Sequence, residues 1–315
     1  MDPRKLGNTG FDVAPLAFGG NVFGWTADEA MSFRLLDAFV AAGFNLIDTA
    51  DSYSRWVTGH KGGESETIIG RWIARRGRHD DVIIATKVGS DMGQGHKVLR
   101  KGYILQAAEA SLRRLQVDRI DLYQSHWDDE NTPLEETLGA YEQLLREGKV
   151  RAIGASNYSA ARLAQALEVS EAQGLPRYAT LQPQYNLYER ADFEGELQTM
   201  CIRENIGVIT YFSLAAGFLT GKYRSAADFA KSARGPGIKK YLNPRGLKIL
   251  DAVDAVARGC NATPAQVSLA WLMSRPGVTA PIASATNLDQ LQEILRATQI
   301  GLDAEAMATL DQASA

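Results

Sequence analysis

The sequence has few cysteines and histidines and no long apolar run. Its 315 residues include two cysteines, Cys201 and Cys260, and four histidines. The two cysteines match no metal-ligand spacing and are typical of free thiols in a reducing compartment. No apolar run approaches the roughly 20 residues of a membrane-spanning helix. Residues 1–13 lack the apolar core of a signal peptide, so we expect a cytoplasmic location and no membrane partner.

An excess of positive charge is also missing. Lysine and arginine number 34 against 37 acidic residues, and the formal net charge is −3. This balance, with basic residues scattered along the chain, excludes a general nucleic-acid binder. The hydrophobic fraction of 45% is enough for a large core. No Pro/Ser-rich linker or change in composition marks a boundary, so we expect a single domain over residues 1–315.

The sequence does contain a repeated alternation of short apolar runs and helical patterns. A short apolar run ends in polar or glycine residues, a helical pattern follows, and the next run begins about 30 to 40 residues further on. The eight runs cover residues 14–18, 44–47, 82–86, 120–123, 152–154, 179–181, 207–211 and 279–282. Alternating βα units form a parallel sheet covered by helices, and eight of them close most economically into a barrel. We therefore predict an α/β protein with a (β/α)8 TIM barrel.

Four local patterns add detail to this prediction. Asn8-Thr9-Gly10 is a turn signal that predicts a short β-hairpin before the barrel. The tetrapeptides that begin at Thr132 and at Thr263 both resemble capped helix starts with proline in the first turn. Between Ser213 and Asn261, after the seventh strand, lies a basic insertion without a strand pattern. It is either a surface loop or a flap over an anionic ligand.

Titratable residues end three successive runs. Asp48, Lys87 and His126 close the second, third and fourth runs, and Tyr53 follows Asp48 by five residues. In a barrel all strand C-termini face one mouth, where active sites lie. A carboxylate that ends a buried strand needs a cation, and Lys87 is the best candidate. The other strand ends are also polar, and they contribute Gly19-Gly20-Asn21, Ser156-Asn157, Gln182, Gln184, Tyr211, Ser213 and Ser284.

These four groups suit the reduction of a carbonyl. Hydride addition to an aldehyde or ketone builds an alkoxide that needs a proton donor. Tyr53 is a candidate general acid, and a nearby Lys87 ammonium would lower the pKa of the phenol. Asp48 would hold Lys87 in place and charged, and His126 would donate a hydrogen bond to the same oxygen. The mouth loops also hold Trp25, Trp56 and Trp127, which would wall an apolar substrate pocket.

Four motifs resemble one known family. NLIDTADSY, IDLYQSHWDD and VRAIGASNY resemble segments of the aldo-keto reductases, and SLAAGFLTGKY resembles the branch that includes potassium-channel β-subunits. The resemblance runs from end to end of the chain. It implies an oxidoreductase that reversibly reduces a small carbonyl compound to an alcohol with a nicotinamide cofactor. It also implies a catalytic tetrad of Asp48, Tyr53, Lys87 and His126, and a cofactor bound without a Rossmann domain.

The resemblance further implies where the cofactor binds. Ser156, Asn157 and Gln184 would hold the carboxamide, Tyr211 would stack on the nicotinamide, the segment after it would wrap the pyrophosphate, and the last loop would surround the adenosine. The full set of implied cofactor positions is Gly19, Gly20, Asn21, Asp48, Ser156, Asn157, Gln184, Tyr211, Phe212, Ser213, Leu214, Ala215, Gly217, Leu219, Lys222, Ser284, Thr286, Gln290 and Glu293.

The adenosine segment departs from the commoner pattern of that family. Many relatives carry a lysine or arginine for the 2′-phosphate where this chain has Ser284, Thr286 or Gln290, and asparagine where it has Ile294. A basic residue of the insertion would then take over this role, and the candidates are Lys222, Arg224 and Arg234. We therefore expect NADP(H) to be preferred, with NAD(H) as the alternative.

Two other functions fit parts of the pattern. Lys87 at a strand end is also typical of Schiff-base lyases on the same fold. The neighbouring Asp48 argues against this function, because it would keep the amine charged. The second alternative is a redox-sensing protein that retains its nucleotide, as the resemblance to channel subunits implies. The sequence shows no accessory segment before the predicted barrel, which disfavours it. A metal enzyme is not expected, since His126 is the one histidine that ends a run.

Overall fold

A computed structural model describes residues 2–315, without the side chain of residue 236. The chain begins with the predicted hairpin, formed by strands β1 (Arg4–Lys5) and β2 (Asp12–Val13), which pair antiparallel. Gly7 in the turn packs against the chain where two strands of the barrel begin. A Cβ added to Gly7 would lie 2.4 Å from the backbone oxygen of Ala179 and from the backbone nitrogen of Gly207. The hairpin therefore covers the end of the barrel at which the strands begin.

Eight parallel strands form the predicted closed barrel. They are β3 (Ala17–Gly19), β4 (Leu46–Asp48), β5 (Ile83–Val88), β6 (Ile120–Ser125), β7 (Val150–Ser156), β8 (Thr180–Gln182), β9 (Gly207–Thr210) and β10 (Val278–Ala283). Each strand pairs with the next along the chain, and β10 pairs with both β9 and β3 to close the ring. The (β/α)8 prediction is thus confirmed, together with the hairpin.

Ten α-helices surround the barrel in the described part of the chain. They are α1 (Glu29–Ala41), α2 (Glu64–Arg76), α3 (Lys101–Leu115), α4 (Leu134–Arg146), α5 (Ala160–Gln173), α6 (Glu196–Arg203), α7 (Pro244–Gly259), α8 (Pro264–Met273), α9 (Leu288–Arg296) and α10 (Ala304–Ser314). No helix within residues 2–315 combines the length and the apolar character needed to cross a bilayer.

The two predicted helix starts differ in outcome. Thr263 forms the expected capping box with Gln266 at the start of α8. The capping box predicted at Thr132 is wrong, because Pro133 is the N-cap of α4 and caps no amide with its side chain. The Thr132 hydroxyl instead donates to the Asp129 carboxylate at 2.6 Å. A charged acceptor three residues before Thr132 thus competes successfully for the hydroxyl.

The insertion after β9 is more ordered than a surface loop. It contains three short 3-10 turns, Ala215–Thr220, Ala226–Lys231 and Gly235–Ile238, and then the whole of α7. Helix α7 begins with Asn243 as its N-cap and Pro244 in its first turn, and it packs against α8 and α10. The insertion therefore consists of short turns over residues 214–243 that lead into a helical base.

The apolar core has two layers, and the inner layer does not reach the end of the barrel where the strands finish. The outer layer lies between strands and helices. The inner layer fills the barrel from the hairpin upward and includes Leu6, Phe11, Val13, Leu46 and Leu122. Above it, buried polar side chains such as Asp48, Lys87, Gln124 and Gln182 occupy the end where the strands finish. Access to the barrel interior is therefore confined to that end.

Close packing of α2 on α3 gives a test of the fold. A Cβ on Gly70 would lie 2.0 Å from the Arg114 carbonyl oxygen. We expect Gly70→Ala to lower the free energy of unfolding by about 1–3 kcal/mol, because the helices must move apart. Urea denaturation followed by circular dichroism measures this. The matched control is Gly139→Ala in α4, where nothing lies within 4 Å of the added carbon. The control should be neutral or stabilising by up to about 1 kcal/mol; equal effects of the two changes would contradict this packing.

Candidate active site

The structure brings Asp48, Lys87 and Tyr53 into one hydrogen-bonded cluster. Lys87 Nζ lies 2.7 and 2.8 Å from the two Asp48 carboxylate oxygens, 2.9 Å from the Tyr53 hydroxyl and 2.8 Å from the Thr49 carbonyl oxygen. The Tyr53 hydroxyl in turn donates to Asp48 Oδ2 at 3.0 Å. The side chains of the ion pair are 0% and 2% exposed. The cluster is therefore a desolvated ion pair with a phenol bound to both partners.

Strand register explains why these side chains meet. Asp48 is the last residue of β4 and pairs with Ala85, two residues before Lys87 on the neighbouring strand. Both side chains point into the barrel, where Gln182 of β8 donates to Asp48 Oδ1 at 2.8 Å. The carboxylate thus accepts hydrogen bonds from an amine, a phenol and an amide. These contacts fix the orientation of Asp48, and Asp48 fixes Lys87.

The electrostatic effect on Tyr53 differs from the sequence-based expectation. We expected the ammonium to lower the pKa of the phenol. In the structure the pKa of Tyr53 is raised well above 10.0, first by burial and then by the charge of Asp48 and the hydrogen bond to it. The carboxylate balances the charge of the ammonium beside it, so the ammonium does not bring about the expected lowering of the phenol pKa. Tyr53 is accordingly a protonated donor at neutral pH.

The same environment acts on the amine. Burial lowers the pKa of Lys87, while the Asp48 carboxylate acts in the opposite direction. All the hydrogen bonds of the amine lead to oxygen atoms of the protein. Such an amine is poorly placed to attack a carbonyl carbon, because a nucleophilic amine must be neutral and accessible. The contacts of Lys87 therefore favour an electrostatic role over a Schiff base.

His126 lies beside this cluster as a neutral imidazole. Its Nδ1 is 2.9 Å from the Ser90 hydroxyl and 3.5 Å from that of Ser52, and its ring centre is 6.0 Å from that of Tyr53. Burial, and then the charge of Lys87, holds the pKa of His126 well below 6.5. In the tautomer in which Nδ1 accepts from the Ser90 hydroxyl, the ring proton is on Nε2. His126 can therefore donate one hydrogen bond from that nitrogen.

Aromatic rings surround the cluster at the mouth. The rings of Trp25 and Trp56 meet edge to face at 5.6 Å, and Trp56 lies 6.2 Å from Tyr53. Trp127 stacks on His126 at 6.0 Å. Trp56 is 52% exposed, which is unusual for tryptophan and leaves ring surface open beside the phenol. The three tryptophans thus lie where a substrate pocket was predicted.

The residues predicted to hold the carboxamide lie on the other side of His126. Asn157 donates to the His126 carbonyl oxygen at 2.9 Å and accepts from the Tyr211 hydroxyl at 2.7 Å. Ser156 donates to the Gln182 carbonyl oxygen at 2.8 Å. The buried Gln184 Nε2 has no hydrogen-bond partner within residues 2–315. An unsatisfied buried donor next to fixed polar groups suits a ligand carbonyl oxygen such as that of a carboxamide.

The segment after β9 has an unusual backbone. Phe212, Ala215 and Ala216 have φ values of 50°, 47° and 57°, and Gly217 follows at 100°. In other proteins, turns of this kind form concavities lined by backbone N–H groups that bind phosphate oxygens. Here the amides of Ala215 and Gly217 already donate to the carbonyl oxygens of Phe212 and Leu214, at 2.7 and 2.8 Å. Leu219 was predicted to contact the cofactor, but its side chain is fully buried, as is that of Ala215. These two side chains anchor the segment, so at Ala215 and Leu219 only the backbone can face a ligand.

The residues predicted for the adenosine end are adjacent across the barrel closure. Ser284 donates to Asn21 Oδ1 at 2.7 Å, and an added Cβ on Gly19 would lie 2.5 Å from the Ser284 hydroxyl oxygen. Thr286 donates from its amide and its hydroxyl to Gln290 Oε1, at 2.9 and 3.0 Å. One turn of α9 further along, Glu293 is half-buried. Glycines at the end of β3 thus leave room beside the last loop.

The three basic candidates of the insertion have different environments. Arg224 is bound by both oxygens of Asp254, at 2.7 and 2.8 Å. Lys222 lies beside the segment of left-handed residues, because a Cβ added to Gly217 would be 3.9 Å from the Lys222 Nζ atom. The guanidinium of Arg234 lies 5.5 Å from the centre of the Trp25 ring. Of the three, Lys222 is next to the predicted phosphate segment, and Arg234 is on the substrate side.

Comparison with known proteins decides the family. A model of the aldo/keto reductase family matches residues 15–315. The chain belongs to the aldo/keto reductase family. It is therefore an oxidoreductase, and the resemblance noted in its four motifs is confirmed.

Similarity to individual members of the aldo/keto reductase family extends over the whole chain. The chain is 34% identical to the uncharacterized oxidoreductase YrpG of Bacillus subtilis, an alignment that covers 99% of this chain and 95% of YrpG. It is 32% identical to Protein tas of Escherichia coli, with 99% and 97% covered. It is 31% identical to a probable voltage-gated potassium channel subunit beta of Arabidopsis thaliana, with 95% and 92% covered.

Sequence reasoning missed two contacts in this aldo/keto reductase site. Gln182 was noted as a polar strand end, but its bond to Asp48 was not predicted. Ser90, three residues after Lys87, was not considered at all, although its hydroxyl is the nearest partner of His126 Nδ1. Both are side-chain contacts between elements far apart in the sequence. The polar end of β8 was the one available signal for the first.

The neutral state of His126 predicts a pH dependence of stability. Unfolded chains protonate histidine near pH 6.5, whereas the folded pKa lies well below that value. The unfolded state thus gains a proton first, and stability falls as the pH drops below about 6.5, by up to about 1.4 kcal/mol per pH unit. We expect His126→Gln to make the urea midpoint less sensitive to pH between 6.5 and 5. Parallel midpoint profiles for the two proteins would contradict a depressed pKa.

Proposed function

We propose that this aldo/keto reductase family member reversibly reduces an aldehyde or ketone to an alcohol with NADPH, and that Tyr53 supplies the proton. The observation that carries the proposal is the Tyr53 hydroxyl, within 2.9 Å of the Lys87 amine and 3.0 Å of Asp48, at the mouth of the barrel. A phenol bound to a charged amine beside exposed aromatic surface suits proton donation to a bound carbonyl oxygen.

The described residues fit a nicotinamide cofactor. Gln184 offers a free donor for the carboxamide, with Asn157 fixed beside it. The left-handed segment from Phe212 to Gly217, with Lys222 next to it, suits a pyrophosphate. Ser284 and Gln290 would then border the adenosine. When bound, the cofactor supplies a hydride for the carbonyl carbon.

The protein groups account for the remaining chemistry. As negative charge develops on the carbonyl oxygen, His126 donates a hydrogen bond from Nε2, and Tyr53 transfers its proton to that oxygen. An alkoxide is a stronger base than a phenolate, so the raised pKa of Tyr53 does not prevent the transfer. The Lys87 ammonium then stabilises the phenolate across 2.9 Å until solvent returns a proton. Asp48 and Gln182 keep the ammonium in position.

Removal of the Tyr53 hydroxyl tests the proposed acid. We expect Tyr53→Phe to lower kcat/KM for an aromatic aldehyde by about 10²–10⁴-fold, the usual contribution of general acid catalysis. Binding of NADPH, followed by quenching of tryptophan fluorescence, should persist because the phenol is not a predicted cofactor contact. Tyr103→Phe in α3 is the matched control and should retain full activity. Unchanged turnover by Tyr53→Phe would remove Tyr53 as the acid.

The preference for NADPH is tested separately. Charge-assisted contacts to a 2′-phosphate contribute about 1.5–3 kcal/mol each, so kcat/KM should be roughly 10- to 100-fold higher with NADPH than with NADH. The comparison uses one carbonyl substrate and both cofactors. An equal or higher kcat/KM with NADH would contradict the preference and leave the proposed reaction intact.

A second candidate function is a redox-sensing protein that retains its nucleotide. The observation that favours it is the similarity to a probable potassium channel subunit beta over 95% of the chain. Purified protein that carries tightly held nucleotide and turns over very slowly with every carbonyl compound would support this function. The open aromatic surface beside Tyr53 favours the enzyme instead, because a sensor of this kind needs no substrate pocket.

A further inference from the structure

Among the residues that the structure describes, no salt bridge pairs the Arg234 guanidinium, which lies near the proposed acid. Its Nη2 atom is buried and has no hydrogen-bond partner in the part of the chain that the structure describes. Its guanidinium carbon lies 5.5 Å from the centre of the Trp25 ring. Its positive charge also acts to lower the pKa of Tyr53, which places it within electrostatic reach of the phenol. None of the proposed catalytic steps uses this cation.

The insertion holds Arg234 in place. The Arg234 amide donates to the Ser232 hydroxyl at 3.3 Å, and that hydroxyl is 2.6 Å from the fully buried Tyr223. The Arg234 carbonyl oxygen accepts from Gly237 at 3.0 Å, just before Ile238, which is also fully buried. The guanidinium is thus supported by a turn with two buried anchors. This differs from Arg224, whose charge is already balanced by Asp254.

The charge balance of the mouth explains why Arg234 lacks a partner. The charge of Asp48 in the cluster is neutralised by Lys87. Tyr53 is a protonated phenol, since its pKa is raised. Arg234 is half-buried, and within the described residues its buried Nη2 atom has no hydrogen-bond partner. An unpaired buried nitrogen of a cation is costly, and an incoming anion removes that cost. A guanidinium binds a carboxylate in a bidentate fashion, and the adjacent Trp25 face suits a planar ring.

We propose that Arg234 forms a subsite for the carboxylate of a ring-bearing carbonyl substrate, with the ring against Trp25 and Trp56. The inference rests on the proposed carbonyl reduction and adds the substrate class, an aromatic or cyclic aldehyde or ketone that is also a carboxylic acid. The competing role for the same cation is contact with a phosphate of the cofactor. A substrate role changes the ratio of kcat/KM for an acid to kcat/KM for its neutral ester, whereas a cofactor role changes the KM for NADPH.

The test compares 4-carboxybenzaldehyde with its neutral methyl ester, using wild type, Arg234→Gln and Lys97→Gln. Lys97 is an exposed cation 4.4 Å from the Trp127 ring, so it controls for general attraction of anions to the mouth. The readout is the ratio of kcat/KM for the acid to kcat/KM for the ester. Loss of a charge-assisted contact should lower this ratio about 10- to 100-fold in Arg234→Gln. Lys97→Gln should change it less than about threefold.

Three results would overturn the subsite. An equal loss for acid and ester in Arg234→Gln, with a raised KM for NADPH, assigns the cation to the cofactor. A lowered ratio in Lys97→Gln but not in Arg234→Gln shows that the anion binds beside Lys97 and Trp127 instead of beside Arg234. A ratio that no variant changes removes anion selection altogether. Circular dichroism melting of each variant shows that the comparison is made between folded proteins.

A binding measurement separates the subsite from the reaction. Calorimetric titration with the product 4-(hydroxymethyl)benzoate in the presence of NADP⁺ should give a Kd about 10- to 100-fold weaker for Arg234→Gln than for wild type. If wild type binds this acid in an Arg234-dependent way but reduces neither aldehyde, the subsite stands and the carbonyl reduction fails. If wild type reduces both aldehydes but binds the acid independently of Arg234, the reduction stands and the subsite fails.

Discussion

The buried ion pair of Lys87 and Asp48 is the constraint on which the mouth depends. Two charges removed from water are tolerated only when each is fully paired, and breaking such a pair costs about 3–5 kcal/mol. Here the amine is bound by the carboxylate, by the Thr49 carbonyl oxygen and by Tyr53. Gln182 reaches the same carboxylate from the opposite side of the barrel. The closed barrel therefore brings five groups together, and they are the Lys87 amine, the Asp48 carboxylate, the Thr49 carbonyl oxygen, the Tyr53 hydroxyl and the Gln182 amide.

The two ends of the barrel are chemically opposite, and buried polar side chains are gathered at one of them. Leu6, Phe11 and Val13 of the hairpin region fill the end where the strands begin. The other end carries the ion pair, the neutral His126 and the tryptophans. The insertion after β9 contributes both a left-handed segment suited to phosphate and the uncompensated Arg234. The proposed phosphate-binding segment and the proposed substrate subsite thus both belong to the insertion after β9, which leads into α7.

The sequence was informative wherever local pattern determines structure. Eight apolar runs followed by helical patterns predicted the barrel, because buried parallel strands need apolar residues on both faces. The meeting of Asp48, Lys87 and Tyr53 followed from barrel geometry alone. Helix α7 was missed although Asn243 and Pro244 signalled its start, since the basic turns before it obscured the pattern. The raised pKa of Tyr53 and the location of Arg234 were not predictable, because both depend on burial and on contacts between segments far apart in the chain.

The left-handed residues after β9 have a consequence for the energetics of ligand capture. The left-handed conformation costs a residue with a side chain about 1–2 kcal/mol of conformational free energy. Phe212, Ala215 and Ala216 all adopt it. Buried neighbours, including the Ala215 and Leu219 side chains, hold the segment in that shape before any ligand arrives. The free energy of ordering this segment is therefore a cost of folding. If the proposed cofactor binding holds, its phosphate would meet a segment that is already ordered, so association would avoid the entropy loss that a disordered flap would add.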